Sequence, residues 1–493
     1  MHRTIPSVVL PRNTALRLPA SRSPAWVLAE TATSAVFSLL SMLVIGRVIG
    51  PEATGTGMVA IAAFMLLDVA GATLFTDAVV QHPQLTPRHA GSALIGATLV
   101  GCVAALILAI GAPYLASSAD APGVTALALS LAPLLPISAF AGCASGLVLR
   151  QQRFKLLAAR VLIGQPLALA VGLGLAATGH GAWAMIGNQV VATIVIFLLL
   201  ACFGRFAARP VIDRASLAAL WPVAGPQVLA VFVMVGRYRL FLLALGLVTT
   251  EAVLAVCHFA FRMLDAALVM VWQATSRIAM PRLCALQGDD HAQAEAFGDL
   301  AQLQALLGMP LAAGIALTAP DLVQALLGPA WYQTAHAAQI VGLSAVVTFI
   351  HGDTTSLFVA RGKPKRNVTI AAAATIIPLT ALAIFQPATP SGVALAWASQ
   401  ALIMPPILTW MVLREVNRPA AWLLARIAPA LVATGALAAT VIALELTLQM
   451  SAMVELVVAA VLGASVYGAV AWMMLRGRLP RALSRRATII AAE

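Results

Sequence analysis

The run HFAFRMLDAALVMVW, residues 258–272, sets three polar or charged side chains in an otherwise apolar stretch. His258, Arg262 and Asp265 stand at i, i+4 and i+7, so on a helix they share one face. Two readings of that stripe stand side by side. In the first, Arg262 and Asp265 neutralise each other within the helix and His258 packs as a core histidine, because ions at membrane depth are usually paired. In the second, Arg262 grips a phosphate with its planar, permanently charged fork, while Asp265 or His258 exchanges a proton or small cation.

Further charges lie in comparable surroundings. Arg237 and Arg239 flank Tyr238 and point to different faces of a helix; one reads as a snorkelling anchor and at least one as facing a cavity. Arg47 holds the matching place nearer the N-terminus, as an interfacial anchor or a second anion ligand. Glu30, Ser34, Ser38 and Ser41 follow helical spacing. The serines suit hydrogen bonding between helices, and Glu30 suits a watery cavity. Asp68 and Asp77 read as an ion site, as partners of an arginine or as structural caps. HGDTTS, residues 351–356, sets His351 and Asp353 in a further apolar run, on different faces. These positions give a substrate-binding set of Arg262, Arg237, Arg239, Arg47 and Glu30. Asp265, His258, Asp68, Asp77 and Asp353 form an ion-coupling set.

The elements that must position these residues are membrane helices. Of 493 residues, 61% are hydrophobic and only 10% charged, and the mean hydropathy is +0.95. A soluble domain is roughly 45–50% apolar. The formal charge of +12 would suggest nucleic acid in a soluble chain, but the basic residues fall in short runs between apolar spans. That pattern specifies topology, and no nucleic-acid partner is expected. Five cysteines (Cys102, Cys143, Cys202, Cys257 and Cys284) show no metal or disulfide spacing, and no metal site is expected. The arginine- and proline-containing N-terminus lacks the pattern of a signal peptide and reads as a retained cytoplasmic tail.

Taking about 20 apolar residues per crossing predicts an all-α polytopic protein of about fourteen spans. They lie near 25–46, 56–80, 91–116, 123–149, 157–178, 182–203, 217–243, 253–276, 300–318, 335–359, 368–386, 391–413, 421–445 and 453–475. With both termini cytoplasmic, the inward segments collect Arg88, Arg150 to Arg160, Arg205 to Arg214, Arg282, Arg361 to Arg366 and Arg414 to Arg426. The outward loops SSADAPG, ATGHG, APDLVQALLGPAWYQ, QPATPSG and TLQMS carry no arginine or lysine, and Arg47, Arg237, Arg239, Arg262 and Arg277 are left at or inside spans. The inward segment CALQGDDHAQAEAFGD is acidic, and acidic residues weigh little in that rule. Prolines within spans (Pro166, Pro226, Pro310, Pro378, Pro405 and Pro406) predict bends.

The chain also echoes itself. PEATGTGMVAIAAFMLLD (51–68) and TEAVLAVCHFAFRMLD (250–265) share a Glu-Ala start and a Phe-x-x-Leu-Asp end, and each follows a span ending near arginine. Two similar six-span halves suit an alternating-access transporter with a midplane site.

At this level the chain resembles the Wzx-type lipid-linked oligosaccharide flippases, the polysaccharide-transport family of the multidrug/oligosaccharidyl-lipid/polysaccharide exporter superfamily. The resemblance rests on RVIGPEATG, DVAGATLFTDAVVQHPQLT, LRQQRFKLLAAR, GHGAWAMIGNQ and EAVLAVCHFAFRMLD, spaced over most of residues 25–415. Where the family has a second Gly-Pro-Glu after the seventh span, this chain has Thr249-Thr250-Glu251.

The resemblance implies two pseudo-symmetric six-helix bundles around a central cavity, residues 25–214 and 215–415, with two appended helices over 416–475. Cytoplasmic tails over 1–24 and 476–493 complete the expected organisation. It implies transport, not enzymatic turnover, of an undecaprenyl-pyrophosphate-linked oligosaccharide repeat unit. The cargo would cross from the cytoplasmic to the periplasmic leaflet of a bacterial inner membrane, for exopolysaccharide, capsule or O-antigen synthesis. The implied partners are the lipid bilayer and the polymerase and export proteins of that pathway. No cofactor is implied beyond a coupling H+ or Na+, which some relatives use.

Two alternatives remain open. A multidrug or cation antiporter of the same superfamily would suit an acidic or apolar cavity and has twelve spans. A membrane glycosyltransferase or polymerase would need a substantial outward segment with acid/base residues, whereas the longest outward segment, about 319–334, holds only Asp321 as a carboxylate. No GxxxxGK[ST] motif is present for ATP-driven export by this chain alone.

Overall fold

A computed structural model describes residues 25–447 and 451–478, and every regular element among them is helical. The expected tail over 1–24, and the expected C-terminal tail from residue 479 on, lie outside the described residues. The first helix, α1 (Ala25–Thr73), holds two crossings joined by a bend at Gly50, whose φ of 78° and ψ of 173° leave the helical region. Glycine adopts that backbone without steric penalty, and the following Pro51 lacks an N–H to continue the ladder. The short α2 (Thr76–Gln81) leads to α3 (Pro87–Ser118), which Thr86 opens with a side-chain cap on the His89 N–H and a proline at the first position.

Next come α4 (Gly123–Leu131), α5 (Leu134–Arg150), α6 (Phe154–Ala177) and α7 (Trp183–Phe203). Asp213 caps α8 (Arg214–Val248), which is followed closely by α9 (Glu251–Ala285). Asp289 caps α10 (Asp290–Leu317), and α11 (Ala319–Leu326) precedes α12 (Tyr332–Thr348) and α13 (Thr354–Ala360). The chain ends in α14 (Lys365–Phe385), α15 (Pro390–Val416), α16 (Ala420–Thr447) and α17 (Ala452–Met474).

Among the described residues, eleven helices are long and apolar enough to cross a membrane. The expected fourteen spans do not map one to one onto them. The first two share α1. The seventh lies in α8, outside that set, a helix that carries Pro222, Pro226 and three arginines, Arg214, Arg237 and Arg239. The tenth is broken between α12, 17 residues long, and α13, 7 residues long. Gly352, at φ +67°, and the cap at Asp353 account for that break.

Packing follows side-chain size. Helix α1 packs along α3, α5, α6, α8 and α9, while α10 packs on α9, α12 and α16, and α14 on α8 and α15. The largest buried core joins Phe64 of α1, Leu108 of α3, Leu135 of α5, Phe241 of α8 and Met309 of α10. Outward faces such as Ile107 and Ile110 of α3 and Val457 and Val461 of α17 remain exposed, as surfaces meant for hydrocarbon do. Near its bend α1 meets α9 closely. The Thr56 hydroxyl donates to the Glu251 carboxylate there.

Candidate functional site

Helices α1, α6 to α9 and α12 to α15 enclose a cavity of about 1050 Å³. Most of its wall is apolar, as the bundle core demands, but charged side chains enter from two neighbouring helices. Arg237 and Arg239 come from α8, and Arg262 and Asp265 from α9. Among the described residues these are the charged lining residues, with His258 and His351 the lining histidines; at neutral histidine they give the wall a formal excess of two positive charges.

Each arginine is held differently. Arg237 donates to Gln400 Oε1 of α15 at 2.9 Å, and its guanidinium carbon stands 5.7 Å from the ring centre of Trp397. The indole face and the amide fix the plane of that fork before any ligand arrives. Arg239 turns the other way and donates to the Met65 carbonyl of α1. The two arginines thus leave α8 on different faces, as their spacing requires, yet both long side chains reach the cavity wall.

Arg262 is the loosest of the three. It lies 3.5 Å from Asp265 Oδ2 and 3.5 Å from Ser38 Oγ, at the outer limit of hydrogen bonding. Its side chain is 37% exposed and that of Asp265 51%, so the intrahelical pair exists without closing on itself. His258 completes the stripe and shares a 2.9 Å hydrogen bond through Nδ1 with the Tyr238 hydroxyl.

Other residues singled out from sequence lie away from this wall. Arg47 is not a lining residue; its guanidinium donates to the carbonyls of Ala325 at 2.9 Å and Leu326 at 3.1 Å, at the end of α11. Unpaired carbonyls at a helix C-terminus are natural partners of a cation. Glu30 likewise leaves the cavity and pairs with Arg160 of α6 at 2.9 Å. Asp77 accepts from Gln227 Nε2 at 2.6 Å.

Asp353 accepts from the Ser356 N–H at 3.1 Å, the Ser356 hydroxyl at 2.6 Å and the Ser276 hydroxyl at 2.8 Å, which makes it the N-cap of α13. His351 and Thr355 of the same motif do line the cavity. Asp68 lies behind the wall, with Arg239 and Ser138 as its neighbours, and its Oδ1 is covered without a hydrogen-bond partner. Among the described residues no cluster of His, Cys, Asp or Glu could hold a metal ion.

The structure adds residues that sequence reasoning passed over. Gln400 and Trp397 orient Arg237, and Gln165 of α6 with Asn188 and Gln189 of α7 line the cavity beside the serines of α1. Their signal was present in the sequence. Asn188 and Gln189 end the motif GHGAWAMIGNQ as adjacent amides in an apolar helix, and Gln400 is a lone amide in α15. An amide at membrane depth needs a partner as a charge does.

Residues 26–336 match the family described as polysaccharide biosynthesis protein. The succinoglycan biosynthesis transport protein ExoT of Rhizobium meliloti (strain 1021) is 24% identical over 339 residues, 66% of this chain. That match spans 65% of the relative's own length. Among solved structures, the lipid II flippase MurJ in an inward closed conformation aligns with a TM-score of 0.74 at 13% identity, covering 92% of this chain and 99% of that one. A multidrug resistance MATE family transporter of the MOP superfamily, in its inward-facing conformation, aligns with a TM-score of 0.63 at 13% identity, over 80% of this chain and 98% of that one. The fold is therefore that of MOP-superfamily transporters. By its matched sequence, which spans more than half of its length, the chain belongs to the family described as polysaccharide biosynthesis protein.

Proposed function

We propose that this chain is a flippase for a polyprenyl-pyrophosphate-linked oligosaccharide, moved by alternating access from the cytoplasmic to the periplasmic leaflet of a bacterial inner membrane. The observation that carries this reading is the convergence of Arg237, Arg239 and Arg262 on one large cavity against a single lining carboxylate. Moving a pyrophosphate and many hydroxyls through hydrocarbon forfeits their hydrogen bonds to water, at several kcal/mol for each unsatisfied polar group. A polar cavity with fixed guanidinium donors removes most of that penalty. The same positive excess opposes an organic cation and disfavours the antiporter reading.

In this reading residues 25–214 and 215–415 rock against each other as two bundles, with both termini cytoplasmic. Arg237 is the fixed half of the anion clamp and Arg262 the mobile half. Asp265 stands where it loses its partner as the cargo recruits Arg262, which makes it the favoured carboxylate of the ion-coupling set. The ExoT relative, named as a transport protein, supports transport over glycosyl transfer. The cargo is expected to be an undecaprenyl lipid, passed on to a polymerase.

The test is mass spectrometry of polyprenyl-linked lipids from cells lacking the protein and from cells carrying it or its Arg262→Ala variant. Build-up of an intact pyrophosphate-linked oligosaccharide, unreachable from the periplasm, is the expected result in the deletion and the variant. An unchanged lipid profile with unaltered surface polysaccharide, in a strain lacking other flippases, would overturn the reading.

A further inference from the structure

The cavity is electrostatically divided. Among the described residues, all of its charged side chains come from α8 and α9, whereas α1, α6 and α7 contribute no charge to the wall. What those helices contribute is neutral hydrogen-bonding capacity, with Ser34 and Ser38 from α1, Gln165 from α6, and Asn188 and Gln189 from α7. Three helices thus bring neutral hydroxyls and amides to the cavity wall.

These groups are held without being exhausted. The Asn188 amide reaches Ser41 Oγ only at 3.4 Å, and Gln189 Nε2 reaches Thr193 Oγ1 only at 3.3 Å. An amide has two donors and a carbonyl with two lone pairs, so each keeps capacity for a ligand. Serine hydroxyls both donate and accept, as do sugar hydroxyls. Ser38 of α1 stands 3.5 Å from Arg262 and so borders the charged side, whereas a carboxylate set against the amides of α6 and α7 would meet neutral donors. Removing a charge from water without a partner is costly.

We infer that the amide-lined wall of α6 and α7 is a glycan subsite that takes the uncharged sugars next to the pyrophosphate, while α8 and α9 take the pyrophosphate itself. The inference rests on the flippase reading and deepens it. The cargo sits across the cavity with its anionic group on one wall and its neutral hydroxyls on the other. A uronic acid in the sugars nearest the lipid is selected against, and acidic substituents are confined to sugars beyond the reach of this wall.

Binding of three synthetic probes to the purified full-length chain in nanodiscs tests this. The probes are a bare polyprenyl pyrophosphate, the same lipid bearing a neutral disaccharide, and the same lipid with a uronic acid as one of its two sugars. The neutral disaccharide should tighten binding about tenfold over the bare lipid, the worth of one or two net hydrogen bonds. The uronic acid should lose that gain. In Asn188→Ala/Gln189→Ala, and separately in Gln165→Ala, the neutral disaccharide should bind closer to the bare lipid, with thermal stability checked in parallel. A disaccharide that adds nothing in the wild type, a gain that survives the variants, or a uronic acid bound as tightly as the neutral sugar would each overturn the inference. If none of the three lipids binds the wild type, the pyrophosphate reading itself falls and takes this one with it.

Discussion

Gly55 of α1 faces the backbone of Glu251 at the start of α9 so closely that a Cβ at position 55 would lie 1.9 Å from the Glu251 carbonyl oxygen. Backbone atoms cannot yield as the tip of a flexible side chain does. The second and eighth expected spans are therefore pressed together at their starts, just past the bend at Gly50. Thr56 adds its hydroxyl to the Glu251 carboxylate, and Arg47 ties α1 to the end of α11 nearby.

In the alternating-access reading this junction is the periplasmic gate, and Gly55→Val should wedge it open. Overpacking at a tight contact costs about 1–3 kcal/mol, enough to shift a two-state equilibrium roughly five- to hundredfold. A cysteine placed at Ser41 should then react faster with an impermeant maleimide added from the periplasmic side, while flipping slows. Unchanged labelling and unchanged flipping would refute the gate.

The arginines should differ in what they tolerate. Arg237→Lys removes the flat surface that stacks on Trp397 and the fork that meets Gln400, so it should weaken binding of polyprenyl pyrophosphate by about ten- to hundredfold. Arg262→Lys keeps the charge at a site already loosely held and should cost less than tenfold. Titration of the two variants with the bare lipid separates them, and equal losses would contradict the division into fixed and mobile halves.

A third expectation concerns stability away from the cavity. Arg426 of α16 pairs with both Glu295 and Asp299 of α10, and Arg282 of α9 approaches Asp299 at 3.8 Å. Asp299 is 10% exposed and Arg426 18%, so removing the arginine takes the nearer cation from a covered carboxylate and leaves Arg282 at 3.8 Å. Arg426→Ala should destabilise the chain by about 3 kcal/mol, near the low end for breaking a buried pair because Glu295 keeps Arg418. A thermal-shift assay should show the loss with lipid binding unchanged. An unaltered melting point would mean the pair is worth no more than a surface bridge.

A fourth expectation follows from the cap of α8. The Ser216 hydroxyl donates to Asp213 at 2.6 Å, and with the N–H groups of Ala215 and Ser216 and the charge of Arg88 it holds the carboxyl below its ordinary 3.8. A depressed folded-state pKa stabilises above the unfolded value and loses that contribution as pH falls through the folded one. Wild type should therefore exceed Asp213→Asn in melting temperature near neutrality, and the gap should narrow as pH drops below about 4. A gap independent of pH would remove the charge from the account and leave only the cap.

What the sequence discloses about this cavity depends on where the partner lies. His258, Arg262 and Asp265 are legible as one stripe because the helical period alone aligns them, and the structure places all three on the wall. The positions of Arg47 and Glu30 were not legible, because their partners arrive from Ala325, Leu326 and Arg160, far along the chain. Asp353 looked like a buried charge, and only the break after α12 shows that it begins a new helix. Composition and periodicity announced a helical membrane protein. They could not show that α1 carries two crossings or that α12 and α13 divide one, since both depend on backbone geometry at single glycines.

Arg150 sends its guanidinium to the carbonyls of Val79, Val80 and His82, at 3.1, 3.0 and 2.6 Å, and Arg153 meets those of Phe203 and Gly204 at 2.9 and 2.8 Å. During synthesis neither set of carbonyls is yet folded back on its arginine, and for Arg153 the acceptors have not been made. Each arginine is therefore a free, hydrated cation while the chain is being threaded, and a strut at the foot of two helices afterwards. In the orientation proposed above, the same two residues serve first as an address and then as a lock. A neutral replacement would then do its damage in two stages: some chains inserted the wrong way round, and the correctly inserted remainder left with loosened helix ends.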